Sequence, residues 1–201
     1  PRRRPAPGLT RGLPDAPLEG ATTLQRTVAI ARPAAEVWAV LGDIRRVADC
    51  LPGASVETIE GDIVSGAFAT RIGPMTARFT GTARVRHDAA AMTGHVAGAG
   101  GDSGSRSGAR GEIGFALHPE GDAACRLDSR IAYRLTGPLA QLGRPAIVAG
   151  IVDRMLQDFA ANVAAAAAGT PSPGRRAPGA FGLIMAALRP IFRRKRDGGS
   201  P

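Results

Sequence analysis

Two long segments alternate strictly between small or apolar residues and polar ones, and this alternation constrains the fold most. In residues 75–86 the odd positions run from Met75 to Val85 with small or apolar side chains, while threonine or arginine fills every even position. Residues 125–135 repeat the pattern, with Arg126, Arg130 and Arg134 between largely apolar neighbours. A period of two is typical of antiparallel strands that have one face in a core and one in water. The sheet therefore needs a covering layer on one face only.

Helical segments on both sides of the strands are predicted to supply that layer. Pro33 at a first helical position predicts a helix over 33–42, and a second short helix over 43–50 ends at the turn Leu51-Pro52-Gly53. A long helix is predicted over 138–168. Its apolar side carries five residues at helical spacing: Val148, Val152, Met155, Phe159 and Val163.

The remaining strands complete an α+β architecture. A first strand is predicted over 23–31, and six more over 54–60, 62–72, 75–86, 91–98, 109–118 and 123–135. We interpret Gly98–Gly108 as a wide or flexible connection, because it lacks the pattern and the strand-to-helix context of a phosphate-binding loop. The order β-α-α-β6-α predicts a curved antiparallel sheet wrapped around one long C-terminal helix.

Charge and cysteine usage exclude several classes of function. The chain holds 26 basic and 17 acidic residues, but residues 21–168 are nearly neutral and the excess lies in the two tails. A nucleic-acid-binding domain normally carries its basic patch on the fold, so we expect no nucleic-acid partner. Cys50 and Cys125 have no metal-ligand spacing, and the three histidines are scattered, so no metal site is predicted. No export signal is evident, which indicates a cytoplasmic protein.

The two ends of the chain differ from its centre. We predict a disordered segment over 1–22, a folded domain over 23–168, a flexible linker over 169–180, a basic amphipathic segment over 181–196 and a disordered end over 197–201. A basic amphipathic segment like that over 181–196 is typical of helices that lie in the interface of an anionic membrane. The predicted membrane-binding residues are Phe181, Ile184, Met185, Leu188, Ile191, Phe192, Arg193, Arg194, Lys195 and Arg196. A docking segment for a partner protein and a solvated basic tail are the alternatives.

The inward-facing positions of the strands and the long helix form either a ligand cavity or a solid core. Small residues such as Ala77, Gly81 and Ala83 among larger ones leave room for an apolar ligand. The candidate cavity-lining residues are Met75, Phe79, Val85, Phe115, Leu127, Ile131, Tyr133, Met155 and Phe159. From the residues alone, simple packing among these side chains is the favoured interpretation. Because the set is nearly all apolar, no catalytic residue is predicted.

Four segments, in this order, resemble the CoxG family of carbon monoxide dehydrogenase proteins, which belongs to the SRPBCC (START/Bet v 1-like) superfamily. They are Cys50-Leu51-Pro52-Gly53, the strand start Ile72-Gly73-Pro74-Met75-Thr76-Ala77-Arg78-Phe79-Thr80-Gly81, the run Gly98-Ala99-Gly100-Gly101, and Leu139-Ala140-Gln141-Leu142-Gly143. Each is weak alone, and the ordered set across residues 23–168 is fairly specific.

This resemblance implies a helix-grip fold and a non-catalytic accessory role beside a molybdenum hydroxylase of the carbon monoxide dehydrogenase type. It also implies recruitment of that molybdenum-containing dehydrogenase complex to the inner face of the cell membrane, and the handling of a quinone. With the resemblance, we expect the cavity to bind an apolar ligand of the menaquinone or ubiquinone type. A polyketide cyclase/aromatase-like enzyme of the same superfamily and a ligand-free assembly factor are the alternatives.

Overall fold

The computed structural model describes residues 18–72, 75–102 and 104–170. Within them, seven strands form one antiparallel sheet in the order β1-β7-β6-β5-β4-β3-β2, accompanied by four helices. The elements are β1 (Thr22–Ile30), α1 (Ala34–Leu41), α2 (Ile44–Cys50), β2 (Ala54–Glu60), β3 (Ile63–Ile72), β4 (Met75–Asp88), β5 (Thr93–Asp102), β6 (Ser107–Pro119), β7 (Cys125–Thr136), α3 (Pro138–Leu142) and α4 (Pro145–Ala167). The predicted segment 181–196 and its membrane-binding residues lie outside the described residues.

The alternation in β4 is confirmed as the division between the two faces of the sheet, whereas in β7 the outward Asp128 and Ala132 are buried as well. In β4, Ala77 and Phe79 are buried, whereas their even-numbered neighbours are exposed. In β7, Leu127 is buried on the same face and packs into the core. We call the face that carries these odd-numbered residues, and that turns toward α4, the inner face.

The two short helices lie where the sequence predicts. The residue that precedes each helix marks its start. Pro33 precedes α1 in an extended conformation, with φ −54° and ψ 139°. Asp43 caps α2, and its Oδ1 accepts hydrogen bonds from the backbone N–H groups of Arg45 and Arg46 at 2.9 and 3.2 Å. On the inner side of α1, the side chains of Val37 and Val40 are completely buried.

The predicted flexible connection over Gly98–Gly108 is wrong. Residues up to Asp102 belong to β5 and those from Ser107 onward to β6, and the two strands pair continuously from Thr93↔Ala116 to Asp102↔Ser107. The glycines weaken the strand signal, but pairing on both sides, with β4 and with β6, holds the backbone extended. The glycine-rich run is therefore part of the sheet, and its glycines leave a bare stretch on the sheet surface.

The single long helix predicted over 138–168 is two helices. α3 ends at Leu142, and α4 begins at Pro145. Proline lacks the N–H that a continuous helix needs, and it forces the residue before it out of the helical region. Arg144 accordingly has φ −55° and ψ 139°. The break lets α3 pack over one end of the sheet while α4 crosses its inner face.

Helix α4 packs against β1, α1 and α2. Its N-terminal half is exposed or half-buried, and Ala160, Asn162 and Val163 in its C-terminal half are buried. No helix among residues 18–72, 75–102 and 104–170 combines the length and the apolar character that crossing a bilayer requires.

Candidate functional site

The apolar core consists of two clusters at opposite ends of the inner face. The larger cluster joins α1, α2 and the end of α4 to the ends of β1, β6 and β7, and it includes Ile30, Val37, Leu117, Leu127 and Val163. The smaller cluster joins Ala77 and Phe79 of β4 to Leu139 of α3, with Phe68, Ala109 and Ile151 packed against it. A continuous core would fill the inner face between these two ends.

Small residues occupy the inner face between the two clusters. The strand register places them side by side in two adjacent rows. At these paired positions, neighbouring strands carry glycine or alanine instead of large side chains. We call this group the small-residue patch. Its members are Gly66, Gly81, Gly100 and Ala109 in one row, and Ala83, Gly98 and Gly111 in the next.

The space above this patch is open at Gly111. A methyl group built on Gly111 would have a single atom within 4 Å, the carbonyl oxygen of Ala132 at 3.5 Å. Two positions along β6, Ile113 is 40% exposed, although its register with Ile131 places it on the inner face. An inward isoleucine with that exposure borders open space. The inner face is therefore open to solvent at this point.

The predicted lining residues are distributed over the two clusters and the inner face between them. Phe79 belongs to the smaller cluster, whereas Leu127, Phe115 and Phe159 belong to the larger one or pack against it. Val85, Ile131 and Tyr133 are half-buried on the inner face between the two clusters. Met155 is half-buried on α4, one turn from Phe159. Met75 is the first residue of β4, and its side chain lies outside the described part of the structure.

Several residues of the site escaped the sequence analysis. Gly98 and Gly100 fall in the predicted connection, and Gly111 lies in a predicted strand without being a candidate site residue; Val96 and Ile113 are not candidates either. The period of two does continue through Val96, Gly98 and Gly100, so a signal was present. It was weak because glycine has no side chain to mark a buried face.

The two hydroxyl groups on the inner face differ in whether they have a hydrogen-bond partner. The Ser129 hydroxyl donates to the backbone carbonyl oxygen of Arg26 at 3.2 Å, and the Arg26 side chain forms an ion pair with Asp153 of α4. The Tyr133 hydroxyl is buried, and no group among the described residues forms a hydrogen bond with it. Tyr133 lies directly opposite Gly111 in the sheet.

Three aromatic rings pack together beside α1. The Trp38 ring lies edge-on to His87 with their centroids 6.0 Å apart, and Phe115 is 6.1 Å from His87 and 6.4 Å from Trp38. Burial lowers the pKa of His87, which favours the neutral imidazole. The arrangement presents aromatic surface without a fixed charge.

Cys50 and Cys125 are buried free thiols in the larger cluster. Burial, with a smaller contribution from Asp49, raises the pKa of Cys50, and burial followed by Glu120 raises that of Cys125. Both therefore stay protonated near neutral pH and act as small core residues. In the described part of the chain, no three histidine, cysteine or acidic side chains form a metal-binding group.

A depression of about 460 Å³ lies across β5, β6 and β7, and two of its lining residues, Gly100 and Ala109, also belong to the small-residue patch. Arg110 and Arg134 on its border face each other directly across β6 and β7. Its lining residues are Ala99, Gly100, Gly108, Ala109, Arg110, Arg134 and Thr136. The even-numbered positions of β6 and β7 belong to the outer face of the sheet, so both arginines lie away from the cavity under α4.

Comparison with known proteins identifies a family. Residues 27–168 match the sequence model of the CoxG family of carbon monoxide dehydrogenase subunits. No protein of curated function matches the sequence significantly.

Solved structures show the same fold. A conserved protein from Geobacillus kaustophilus is 17% identical with a TM-score of 0.65, and the match covers 74% of this chain and 96% of that one. A Thermus thermophilus protein is 18% identical with a TM-score of 0.55, covering 72% and 99%. An aromatase/cyclase from a Streptomyces species is 16% identical with a TM-score of 0.51, covering 73% and 93%. At these identities the likeness supports the fold alone, which is the helix-grip fold that the sequence resemblance implies.

Proposed function

Because the chain belongs to the CoxG family of carbon monoxide dehydrogenase subunits, we propose that it is a non-catalytic accessory protein of a molybdenum hydroxylase of that type. It binds an apolar, quinone-like ligand in the cavity between the sheet and α4. Its C-terminal segment holds it at the inner face of the cell membrane, beside the enzyme. The family supports the accessory role, whereas the ligand and the membrane contact are our proposal.

The observation that carries the ligand proposal is the division of the core into two clusters with the small-residue patch between them. At Gly111 no side chain fills the space toward α4, whereas at Gly66 and Gly81 an added methyl group would collide with the backbone oxygens of Ser55 and Ala99. A chain that needed only stability would fill this space, because each buried methylene group contributes about 0.8 kcal/mol. An apolar ring would recover part of that free energy on binding.

The walls of the cavity suit a carrier better than an enzyme. Val85 and Ile131 between the clusters are apolar, and the Ser129 hydroxyl is already bonded to the backbone. An enzyme of the cyclase type needs several polar groups that converge on the substrate. On the described inner face, Tyr133 supplies a buried unsatisfied hydroxyl, and one hydroxyl is enough to orient a ligand.

The membrane proposal rests on the sequence of residues 181–196. Their apolar residues recur at helical spacing beside Arg193, Arg194, Lys195 and Arg196. With Arg189, five basic groups contribute roughly 5 kcal/mol near an anionic leaflet, before the cost of ordering the segment. Such binding is reversible, which suits a protein that moves between lipid and an enzyme surface.

The test of the ligand proposal is extraction of the full-length protein, purified from its own host, followed by native mass spectrometry and lipid analysis. A quinone present in proportion to the protein supports the carrier function. As a matched control, the same preparation is made with Gly111→Leu, which fills the open part of the cavity. A quinone that remains in equal amount on this variant, or an empty wild-type protein, contradicts the proposal.

The membrane contact is tested separately by flotation with vesicles. The wild-type chain is expected to float with vesicles that contain phosphatidylglycerol and not with neutral ones. Replacing Arg193, Arg194, Lys195 and Arg196 by glutamine should abolish flotation. Equal flotation of this variant would show that the basic cluster does not bind the membrane, whatever the cavity holds.

A further inference from the structure

Arg110 of β6 and Arg134 of β7 place two like charges side by side on the outer face of the sheet. They lie directly opposite each other in the register, and both are exposed. Side chains at such positions start about 5 Å apart, and like charges there repel each other. Glu112, two positions along β6, forms an ion pair with neither of them. We call Arg110 and Arg134 the arginine pair.

Other arginines on the same face have carboxylate partners, which the arginine pair lacks. Arg84 Nε lies 3.0 Å from Asp62 Oδ2, and Arg126 Nη1 lies 3.0 Å from Glu120 Oε1. Within residues 18–72, 75–102 and 104–170, no ion pair includes either member of the arginine pair. In this part of the chain, the two guanidinium groups therefore have no carboxylate to offset their repulsion, and an anion from outside would do so.

The arginine pair borders the depression of about 460 Å³ that crosses β5, β6 and β7. The other residues that line this depression are small or carry a hydroxyl group: Ala99, Gly100, Gly108, Ala109 and Thr136. Because no large side chain fills the space, an acidic side chain from another molecule can enter it. A carboxylate has two oxygens that accept parallel N–H bonds from guanidinium groups, and such charge-assisted bonds are stronger than neutral ones.

We propose that the arginine pair is a docking point for an acidic protein surface, with an aspartate or glutamate side chain of the partner inserted between Arg110 and Arg134. The identity of the partner rests on the proposed function, which names a molybdenum-containing dehydrogenase but assigns no surface of contact. The two ends of this chain do not fit the site, because residues 1–17 and 169–201 each carry an excess of positive charge.

The chemistry of the outer face favours a protein partner over a lipid surface. Among the described residues of β4 to β7, the side chains on this face are those of threonine, arginine, histidine, acidic residues, alanine and glycine. Surfaces that lie in a membrane interface insert aromatic or large aliphatic side chains, and this face has none among those residues. Arginine is enriched at protein interfaces, where it often contributes much of the binding energy.

The experiment measures binding of the full-length chain to the molybdenum-containing dehydrogenase purified from the same host, by biolayer interferometry. Arg110→Gln and Arg134→Gln are compared with the wild type. Arg154→Gln is the matched control: it also removes one positive charge, but from α4, where Arg154 is exposed and paired with Asp158. All three arginines are exposed, so the substitutions leave the buried core unchanged.

Arg110→Gln and Arg134→Gln should each raise the dissociation constant about 10-fold, which corresponds to about 1.4 kcal/mol, whereas Arg154→Gln should bind like the wild type. Raising the salt concentration from about 0.05 to about 0.5 M should weaken wild-type binding and narrow these differences, because salt screens exposed charges. Wild-type affinity in both sheet variants, or an equal loss in Arg154→Gln, overturns the inference alone. A wild-type chain without affinity for the enzyme contradicts the proposed accessory function as well.

Flotation with vesicles that contain phosphatidylglycerol tests the lipid alternative. A variant with both Arg110→Gln and Arg134→Gln should float like the wild type, because the proposed membrane contact lies in residues 181–196. Loss of flotation in this variant would assign the arginine pair to the membrane and overturn the protein partner.

Discussion

The ligand-free protein should become more stable when Tyr133 loses its hydroxyl. A buried donor without a partner costs about 1–3 kcal/mol relative to water, and Tyr133→Phe removes that cost without removing ring contacts. We expect the free energy of unfolding to rise by about 1 kcal/mol, which corresponds to roughly 2–4 °C in Tm for a chain of this size.

The assay is urea unfolding followed by circular dichroism, with Ser129→Ala measured in parallel. The Ser129 hydroxyl donates to the Arg26 carbonyl oxygen, so its removal should lower the free energy of unfolding by about 1 kcal/mol. The two substitutions each delete one hydroxyl from the inner face of β7, and they are expected to have opposite signs. If Tyr133→Phe is destabilising by as much as Ser129→Ala, the Tyr133 hydroxyl has a partner within the folded chain and the reasoning fails.

Three further predictions concern the structure around the cavity. Asn162→Ala should lower the free energy of unfolding by about 2 kcal/mol in urea, because Asn162 Nδ2 donates to the buried Cys50 carbonyl oxygen at 2.9 Å; a loss of less than about 0.5 kcal/mol would contradict this. Arg110→Gln should raise the free energy of unfolding by about 0.5 kcal/mol at low salt, because it removes the charge repulsion from Arg134 directly opposite. Salt screens such repulsion, so an equal gain at high salt would exclude repulsion as the cause. The free energy of unfolding should fall as the pH drops below about 6.5, because folding lowers the pKa of His87 and the unfolded state then binds more protons. His87→Asn should flatten this part of the pH profile. An unaltered profile would show that His87 is not the cause.

The strands and their succession along the chain were predictable, because alternation is visible wherever side chains mark the two faces of a strand. Residues 75–86 and 125–135 carry arginine on one face and apolar groups on the other, and both became central parts of strands. The break at Pro145 was visible in the sequence but was outweighed by the helical stripe from Val148 onward. A period of 3.6 shows which face a helix buries, and a proline decides where the helix begins.

The cavity was predictable only in part, because it is formed by side chains that are missing. Large lining residues such as Phe79 and Leu127 stand out in a sequence, and the structure places them in the two clusters that bound the cavity. Gly98, Gly100 and Gly111 have no such mark, and only strand register shows that they lie together. A hydroxyl without a hydrogen-bond partner likewise cannot be recognised in the sequence, because its partners are the neighbours that folding brings to it.

Helix α4 has to stay over a sheet that offers it few central contacts, and its attachments lie around the cavity. Asp153 forms an ion pair with Arg26 of β1, Asn162 bonds to the Cys50 carbonyl oxygen, and Ile151 packs on the smaller cluster. These contacts tie the helix to the edge of the sheet, to α2 and to the end of β4. Because they surround the open space, filling that space is not required to position the helix. Under the proposed function, a ligand therefore enters or leaves without α4 losing these attachments.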